Sequence, residues 1–431
     1  MVWKLKGALA LVTAALCIGV GTAKHSTEPE QVHLSYGENE AELFVTWVTH
    51  SPTTASPAVQ YGVQNINELT AVGNSTKFVD GGWKQRTIYI HRVTLVGLKP
   101  NTNYVYRCGG EEGWSNTFWF KTMPSGTNWS PRLNIYGDMG WENAVSVPRI
   151  QKDAQGHAID AVIHVGDFAY DMHDKNGKIG DKFMRMIEPI AAHVPYMVCP
   201  GNHEKEYNFS HYRNRFTMPG HSENLFYSFN MGPVHIISIN TEAYWYLEYG
   251  MKLVVKQYNW LIKDLEEANK NRAERPWIVV YGHRPMYCSG VSKECTEDPP
   301  TRSGLNGKLF GLEKLLWKYG VDLTFWGHQH NYERFWPVYD YTVLNGTSSP
   351  YVDPKAPIHI ITGSAGCKED IEPFNHAVPA SALRNTNYGV TEVHFLNATH
   401  VTLSQVATDI DDQIVDHIVV VKNHHGPYTR I

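Results

Sequence analysis

The sequence predicts an all-β domain followed by an α/β domain, and three observations carry that prediction. From about Thr27 to Pro124, short runs of alternating apolar and polar residues are separated by turn residues. After Pro131, apolar strands alternate with amphipathic helical stretches. Within that second region, five apolar runs each end on a glycine and then a polar side chain able to bind a metal.

The chain has 431 residues, of which 42% are hydrophobic, enough for two or three domains with cores of their own. Its 43 acidic residues slightly outnumber its 38 lysines and arginines, and no basic run marks a nucleic-acid surface. Residues 1–23 read as a secretory signal: Lys4 and Lys6, then the apolar "GALALVTAALCIGVG", then small residues to Ala23. This run is shorter than the roughly 20 residues a bilayer crossing needs, and a signal anchor is the alternative. No later segment reads as a stable membrane span, and the polar end "VKNHHGPYTRI" does not suit a lipid-anchor tail. The expected location is extracellular, or a lysosome-like compartment. Five sequons, at Asn74, Asn128, Asn208, Asn345 and Asn397, agree with an exported glycoprotein. Beyond the leader, Cys108, Cys199, Cys288, Cys295 and Cys367 make an odd set, so at least one is not paired within the chain. Cys288 and Cys295 enclose a short polar loop and are the expected disulfide; Cys199, in the apolar "PYMVC", reads as a buried thiol.

Residues 27–124 form the first domain. "AELFVTWVTH", "RTIYIHRVTLVGL" and "NTFWFKTM" read as strands, and "VTLVGLKPNTNYVYRCGG" resembles the late strands of a fibronectin type III β-sandwich. Residues 131–431 form the second domain. "MKLVVKQYNWLIKDLEEANKNR" and "GLEKLLWKYG" read as amphipathic helices. Residues 357–431 add strands at "PIHIITGSAG", "YGVTEVHFLNATHVTLSQVA" and "QIVDHIVVV", which complete the same domain.

The chemistry lies at the strand ends. "RLNIYGD" ends at Asp138, "AVIHVGD" at Asp167, "PYMVCPGNH" at Asn202 and His203, "PWIVVYGH" at His283, and "VDLTFWGH" at His328, with His330 next but one. In α/β sheets the site lies beyond the carboxyl ends of the strands, so these side chains converge. The glycines are expected to let the backbone turn sharply there. His328 and His330, one residue apart, are expected to point the same way along an extended segment. Two Asp, one Asn and three His with no thiolate suit metals that take N and O donors. They exceed the needs of one ion and fit two ions about 3.5–4 Å apart.

The set "GDMG", "GDFAY", "GNHE", "YGH" and "GHQHNYER" resembles the calcineurin-like metallophosphoesterases and, among them, the purple acid phosphatases of the animal long-chain branch. The resemblance covers nearly the whole mature chain and implies a catalytic domain of two mixed sheets flanked by helices. Its discriminating residue is Tyr170. Many related phosphoesterases carry a histidine two residues past the first aspartate, where this chain has Gly140. Tyr170 stands where the purple enzymes place a phenolate on Fe(III). The resemblance assigns Asp138, Tyr170 and His330 to the ferric ion. It assigns Asn202, His283 and His328 to a divalent Fe, Zn or Mn, with Asp167 bridging.

The implied activity is acid phosphatase: hydrolysis of phosphate monoesters by a hydroxide held at the metals. His203 is implied as the residue that contacts a phosphate oxygen or protonates the leaving group, and Glu204 as one that orients a ligand. Plant-type members carry further histidines in the loop after the "YGH" strand, and "RPMYCSGVSKECTEDPPTRSG" has none. The alternative enzyme is a phosphodiesterase or nucleotide pyrophosphatase on the same core. A metal-binding or adhesion protein working through its sandwich is the alternative from another class, and loss of a ligand would favour it. The expected partner is a phosphate monoester rather than nucleic acid; oligomeric state, physiological ester and divalent metal stay open.

Overall fold

The computed structural model describes residues 27–375 and 378–428. The leader at residues 1–23 lies outside them. The first domain packs two antiparallel sheets face to face. One orders Glu30–Tyr36, Leu43–Thr49, Thr87–Leu95 and Asn74–Val79; the other runs Leu69–Val72, Ala58–Gly62, Asn103–Gly110 and Gly113–Trp114, with Phe118–Lys121 also on Asn103–Gly110. Alternation produces this layering. Val45 and Trp47 are buried with Leu34, Tyr106 and Phe120 between the sheets, while the intervening Ser35 and Thr46 face Thr217 of the second domain.

The second domain is built on two mixed sheets. A six-stranded sheet has the order Tyr196–Val198, Ala161–His164, Arg132–Tyr136, Gly389–Phe395, His400–Ala407 and Gln413–Val421; its first three strands are parallel. A seven-stranded sheet has the order Tyr227–Met231, Val234–Ser238, Trp277–Tyr281, Leu323–Trp326, Ile358–Thr362, Tyr332–Phe335 and Ser381–Asn385. There Val234–Ser238, Trp277–Tyr281, Leu323–Trp326 and Ile358–Thr362 run parallel. The last 75 or so residues therefore do not form a separate unit: Ile358–Thr362 lies inside one sheet and three later strands extend the other. Apart from exposed Arg132 at the start of the first, the parallel strands Arg132–Tyr136, Ala161–His164, Trp277–Tyr281 and Leu323–Trp326 are buried throughout, which is why they read as apolar runs.

Lys252–Lys270 is the long amphipathic helix, burying Val254, Gln257, Leu261, Leu265 and Ala268 along one face. "GLEKLLWKYG" yields only the short helix Glu313–Lys318. The sequence reading assigns no helix to Asp174–Ala191, although this element packs on the sandwich. Gly177, Gly180 and Pro189 weaken its pattern, and Lys175, Asn176 and Gly177 are left-handed, so regular helix begins near Lys178. Among the described residues no helix is long and apolar enough to cross a membrane.

The two domains share one continuous core, in which Tyr36 and Tyr106 join Met197 and Phe229. Tyr106 Oη donates to Ala192 O at 2.8 Å, and Val32 N donates to Glu188 Oε2 at 2.9 Å. The sandwich is thus fixed against the catalytic domain by buried, directional bonds.

Candidate metal centre

All five strand ends arrive at one place, where the carboxyl ends of parallel strands from both sheets meet. Asp138 follows Arg132–Tyr136, Asp167 follows Ala161–His164, and Asn202 follows Tyr196–Val198. His283 follows Trp277–Tyr281, and His328 follows Leu323–Trp326. The turns differ from the sequence expectation. Left-handed backbone falls on polar residues, Asp138 at φ 57°, Asp167 at φ 52° and His328 at φ 68°, and among the strand-end glycines on Gly166, at φ 90°. The glycines chiefly provide room. A Cβ on Gly327 would lie 2.5 Å from Asp138 Oδ2, and one on Gly201 would lie 2.2 Å from Asp167 Oδ1. "GHQH" is likewise not extended. The left-handed turn at His328 sends the two imidazoles to different neighbours.

The donors fall into two groups, buried except for the half-buried Asn202 and His328. In the first, Tyr170 Oη lies 3.3 Å from Asp138 Oδ1 and 3.0 Å from His330 Nε2, and that nitrogen lies 3.6 Å from Asp138 Oδ1. In the second, His283 Nε2 lies 3.1 Å from both Asp167 Oδ2 and Asn202 Oδ1. Donor atoms of Asp167, His283 and His328 all lie within 4.8 Å of one another. His328 Nε2 also sits 3.0 Å from Arg284 Nη1 and 3.4 Å from Glu294 Oε1.

Neighbouring groups fix these orientations. His283 Nδ1 donates to Val165 O at 2.8 Å and His330 Nδ1 to Asp370 O at 3.2 Å, leaving each Nε2 facing inward. Asp138 Oδ2 accepts from His328 N at 2.9 Å, and Asp167 Oδ1 accepts from His203 N at 2.9 Å, so each carboxylate keeps one oxygen for the centre. Buried Glu204 accepts three backbone N–H groups, from Asp167 and Gly201 at 2.9 Å and from Phe168 at 3.0 Å. It thereby ties two ligand-bearing turns together. His203 Nδ1 donates to Asp171 Oδ1 at 2.6 Å, and its Nε2 lies 3.9 Å from Asp167 Oδ2.

The electrostatics show what the site lacks. Burial alone would lower the imidazole pKa values, but Asp167 and Asp138 overcome it at His283, which is held up at about 10. At His330 burial is likewise outweighed, chiefly by Asp138, and the ring is pushed up to about 12. Burial, then Asp138 and Asp167, drive the Tyr170 phenol well above its ordinary range. Among the described residues no lysine or arginine pairs with Asp138 or Asp167. Two buried carboxylates with no lysine or arginine on them, a phenol, an amide oxygen and three imidazoles are a donor set that fits two metal ions.

The sequence reading did not foresee Asp171 behind His203, or Arg284 beside His328. "RPMYC" contains Arg284, but its partner Glu242 lies 42 residues away and no spacing rule joins them. Arg284 Nε sits 3.1 and 2.9 Å from the two Glu242 oxygens, buried. The structure joins Cys288 to Cys295 and leaves Cys108, Cys199 and Cys367 buried and unpaired. Asn74, Asn128, Asn208 and Asn397 are exposed. The half-buried Asn345 donates from Nδ2 to Ser349 O, Pro350 O and Val352 O at 2.9–3.2 Å.

Two mixed sheets meeting over such a donor set define a calcineurin-like metallophosphoesterase, and the calcineurin-like phosphoesterase family model matches residues 131–332. The models of the purple acid phosphatase N-terminal domain and of the iron/zinc purple acid phosphatase-like protein C match residues 29–122 and 356–417. Acid phosphatase type 7 of Homo sapiens is 53% identical over 409 residues, covering 93% of this chain and 92% of its own. That of Danio rerio is 49% identical over 416 residues, 93% of each chain. The solved structure of purple acid phosphatase PPD1 from yellow lupin seeds superposes with a TM-score of 0.80 at 25% identity, over 92% of this chain and 75% of that one. The chain belongs to the purple acid phosphatases, on the acid phosphatase type 7-like branch. It is a binuclear-metal phosphoric monoester hydrolase, and these relatives do not favour the diesterase alternative.

Proposed function

We propose that Asp138, Tyr170 and His330 hold Fe(III), that Asn202, His283 and His328 hold a divalent Fe, Zn or Mn, and that Asp167 bridges the two. The observation that carries this reading is the division of the donors into two groups, with the phenol oxygen of Tyr170 in one of them. A phenolate is a hard, strongly donating anion that suits a trivalent ion. When bound, the pair supplies positive charge that attracts a phosphate ester and acidifies water for attack on phosphorus.

The chain's own groups do the rest. His283 and His330 keep Nε2 facing inward because Val165 O and Asp370 O hold their Nδ1 protons. Glu204 fixes the turns that carry Asp167 and Asn202. The Asp171 carboxylate holds the Nδ1 proton of His203 and orients its Nε2 toward the Asp167 side of the site. From there the ring donates to a phosphoryl oxygen or to the departing oxygen of the ester. In Asp167→Asn, p-nitrophenyl phosphate turnover is expected to fall about a thousandfold or more, with loss of metal measured by elemental analysis. Wild-type turnover in that variant would contradict the assignment.

We further propose export of the protein, extracellular or to a lysosome-like compartment, with glycans at Asn74, Asn128, Asn208 and Asn397, all exposed. The Nδ2 group of Asn345, the atom a glycan would need, is already committed to three carbonyls, so this sequon is expected to stay unmodified. Peptide mapping of protein from an exporting cell tests both statements; unmodified asparagine at all four exposed sites would overturn the first.

A further inference from the structure

The cleft between the sandwich and the start of the Asp174–Ala191 helix is not part of the metal centre. His50, Arg86 and Thr87 line it from the sandwich, and Lys178, Asp181, Lys182 and Arg185 from the helix, around an open volume of about 590 Å³. Lys178, Lys182 and Arg185 stand at i, i+4 and i+7, so one helix face carries three cations along about 10 Å. Like charges at this spacing repel and cost helix stability.

The carboxylates present do not balance them. Buried Asp181 is shared between Arg86 and Arg215, the latter at 2.9 Å. Glu30 takes Arg185 at 2.5 Å and His50 at 2.8 Å. Among the described residues no carboxylate pairs with Lys178 or Lys182. The Lys182 ammonium instead rests 3.7 Å from the centre of the Trp141 ring. Two positive charges, those of Lys178 and Lys182, thus remain without a carboxylate beside two arginines that have one, in one concavity of a chain whose net charge is −5. His50 sits between the two arginines, 3.3 Å from Arg86 Nη2 and 3.3 Å from Arg185 Nη2. A structural clamp between domains requires only the Arg86–Asp181 and Arg185–Glu30 pairs; it does not require the two lysines.

We propose that this cleft binds a small polyanion carrying several adjacent oxyanion groups, phosphate or sulfate, bridging the two domains at a site separate from the metal centre. A row of cations on a helix face matches neighbouring oxyanions better than a single one, and a concave wall strengthens the field they share. The test is isothermal titration calorimetry on the full-length, metal-loaded protein with inositol hexasulfate, which offers the centre no phosphoryl group. In parallel, inorganic tripolyphosphate is titrated into Asp167→Asn.

Expected is one-to-one binding that weakens at least tenfold in Lys178→Glu/Lys182→Glu and by an intermediate factor in Lys178→Gln/Lys182→Gln. Both lysines are exposed, so p-nitrophenyl phosphate turnover should stay within about twofold of wild type and report an intact fold. If the reversal variant does not fold, the glutamine variant decides. Binding of one probe only supports the site and names its ligand as sulfate or phosphate. Affinity unchanged in the lysine variants, or no binding of either probe, overturns the proposal.

Discussion

His33 in the sandwich and His330 in the catalytic domain are both buried, yet their surroundings drive them in opposite directions. His33 Nδ1 donates to Gln31 O at 2.8 Å, the ring edge meets Phe216, and burial pushes its pKa down to about 4. His91 lies between Thr49 Oγ1 at 2.9 Å and Ser75 Oγ at 2.6 Å, stacked on Trp47, and is also lowered to about 4. These rings are neutral packing groups with neutral partners. His330 and His283 face carboxylates, which reverse the effect of burial. A site that keeps a buried imidazole neutral, as His164 and His359 are kept in the catalytic domain too, is using it as structure. One that sets imidazoles against buried carboxylates with no lysine or arginine on them has left positive charge to be supplied from outside the chain.

The contrast predicts separable failures. The largest effect is expected from His283→Ala: hydrolysis should fall about a thousandfold, some 4 kcal/mol of transition-state stabilisation, while the metal-free protein, though destabilised by loss of a buried partner of Asp167, still folds. A metal-free protein that unfolds with this substitution would make His283 structural and break the contrast.

The next effect belongs to the sandwich and depends on pH. The unfolded His33 takes up its proton near 6.5 and the folded one only near 4, so the unfolded state binds more protons between those values. The His33 contribution to stability should therefore be level above about pH 6.5 and fall toward pH 4, by about 3 kcal/mol. Denaturant unfolding at stepped pH measures it, and His33→Gln should flatten the decline. A profile that keeps its full slope in His33→Gln would remove His33 as the cause. The smallest effect is that of His91→Ala, which loses hydroxyl partners and a stacking contact. It should cost about 1–3 kcal/mol of stability and leave kcat for p-nitrophenyl phosphate unchanged; a large loss of kcat would link the sandwich to catalysis.

Much of the centre was legible because its signals are local. An apolar run followed by glycine and Asp, Asn or His shows both the strand and the side chain at its end, and the repetition makes the five additive. The same signal misled about mechanism at the turn. The sequence shows a glycine and invites a backbone explanation, which holds at Gly166, whereas elsewhere the left-handed conformation sits on the polar residues Asp138, Asp167 and His328. The glycines are needed because carboxylate oxygens pass where a Cβ would be. Residues that act across the fold left no such trace. Asp171 reaches His203 over 32 residues, and Glu242 reaches Arg284 over 42. Each is an unremarkable acid in its own segment, and only the folded sheets make it a partner. The helix Asp174–Ala191 escaped for a different reason: two glycines and a proline blur a pattern that tertiary packing on the sandwich then stabilises.

The central claim is that a phenolate from Tyr170 completes one of two ion sites. The visible absorption spectrum of the purified protein tests it most directly when compared with Tyr170→Phe at equal iron content. A phenolate-to-iron charge-transfer band in the wild type and its disappearance in the variant is the predicted result. An unchanged band in Tyr170→Phe, or a fully active colourless protein, would contradict it.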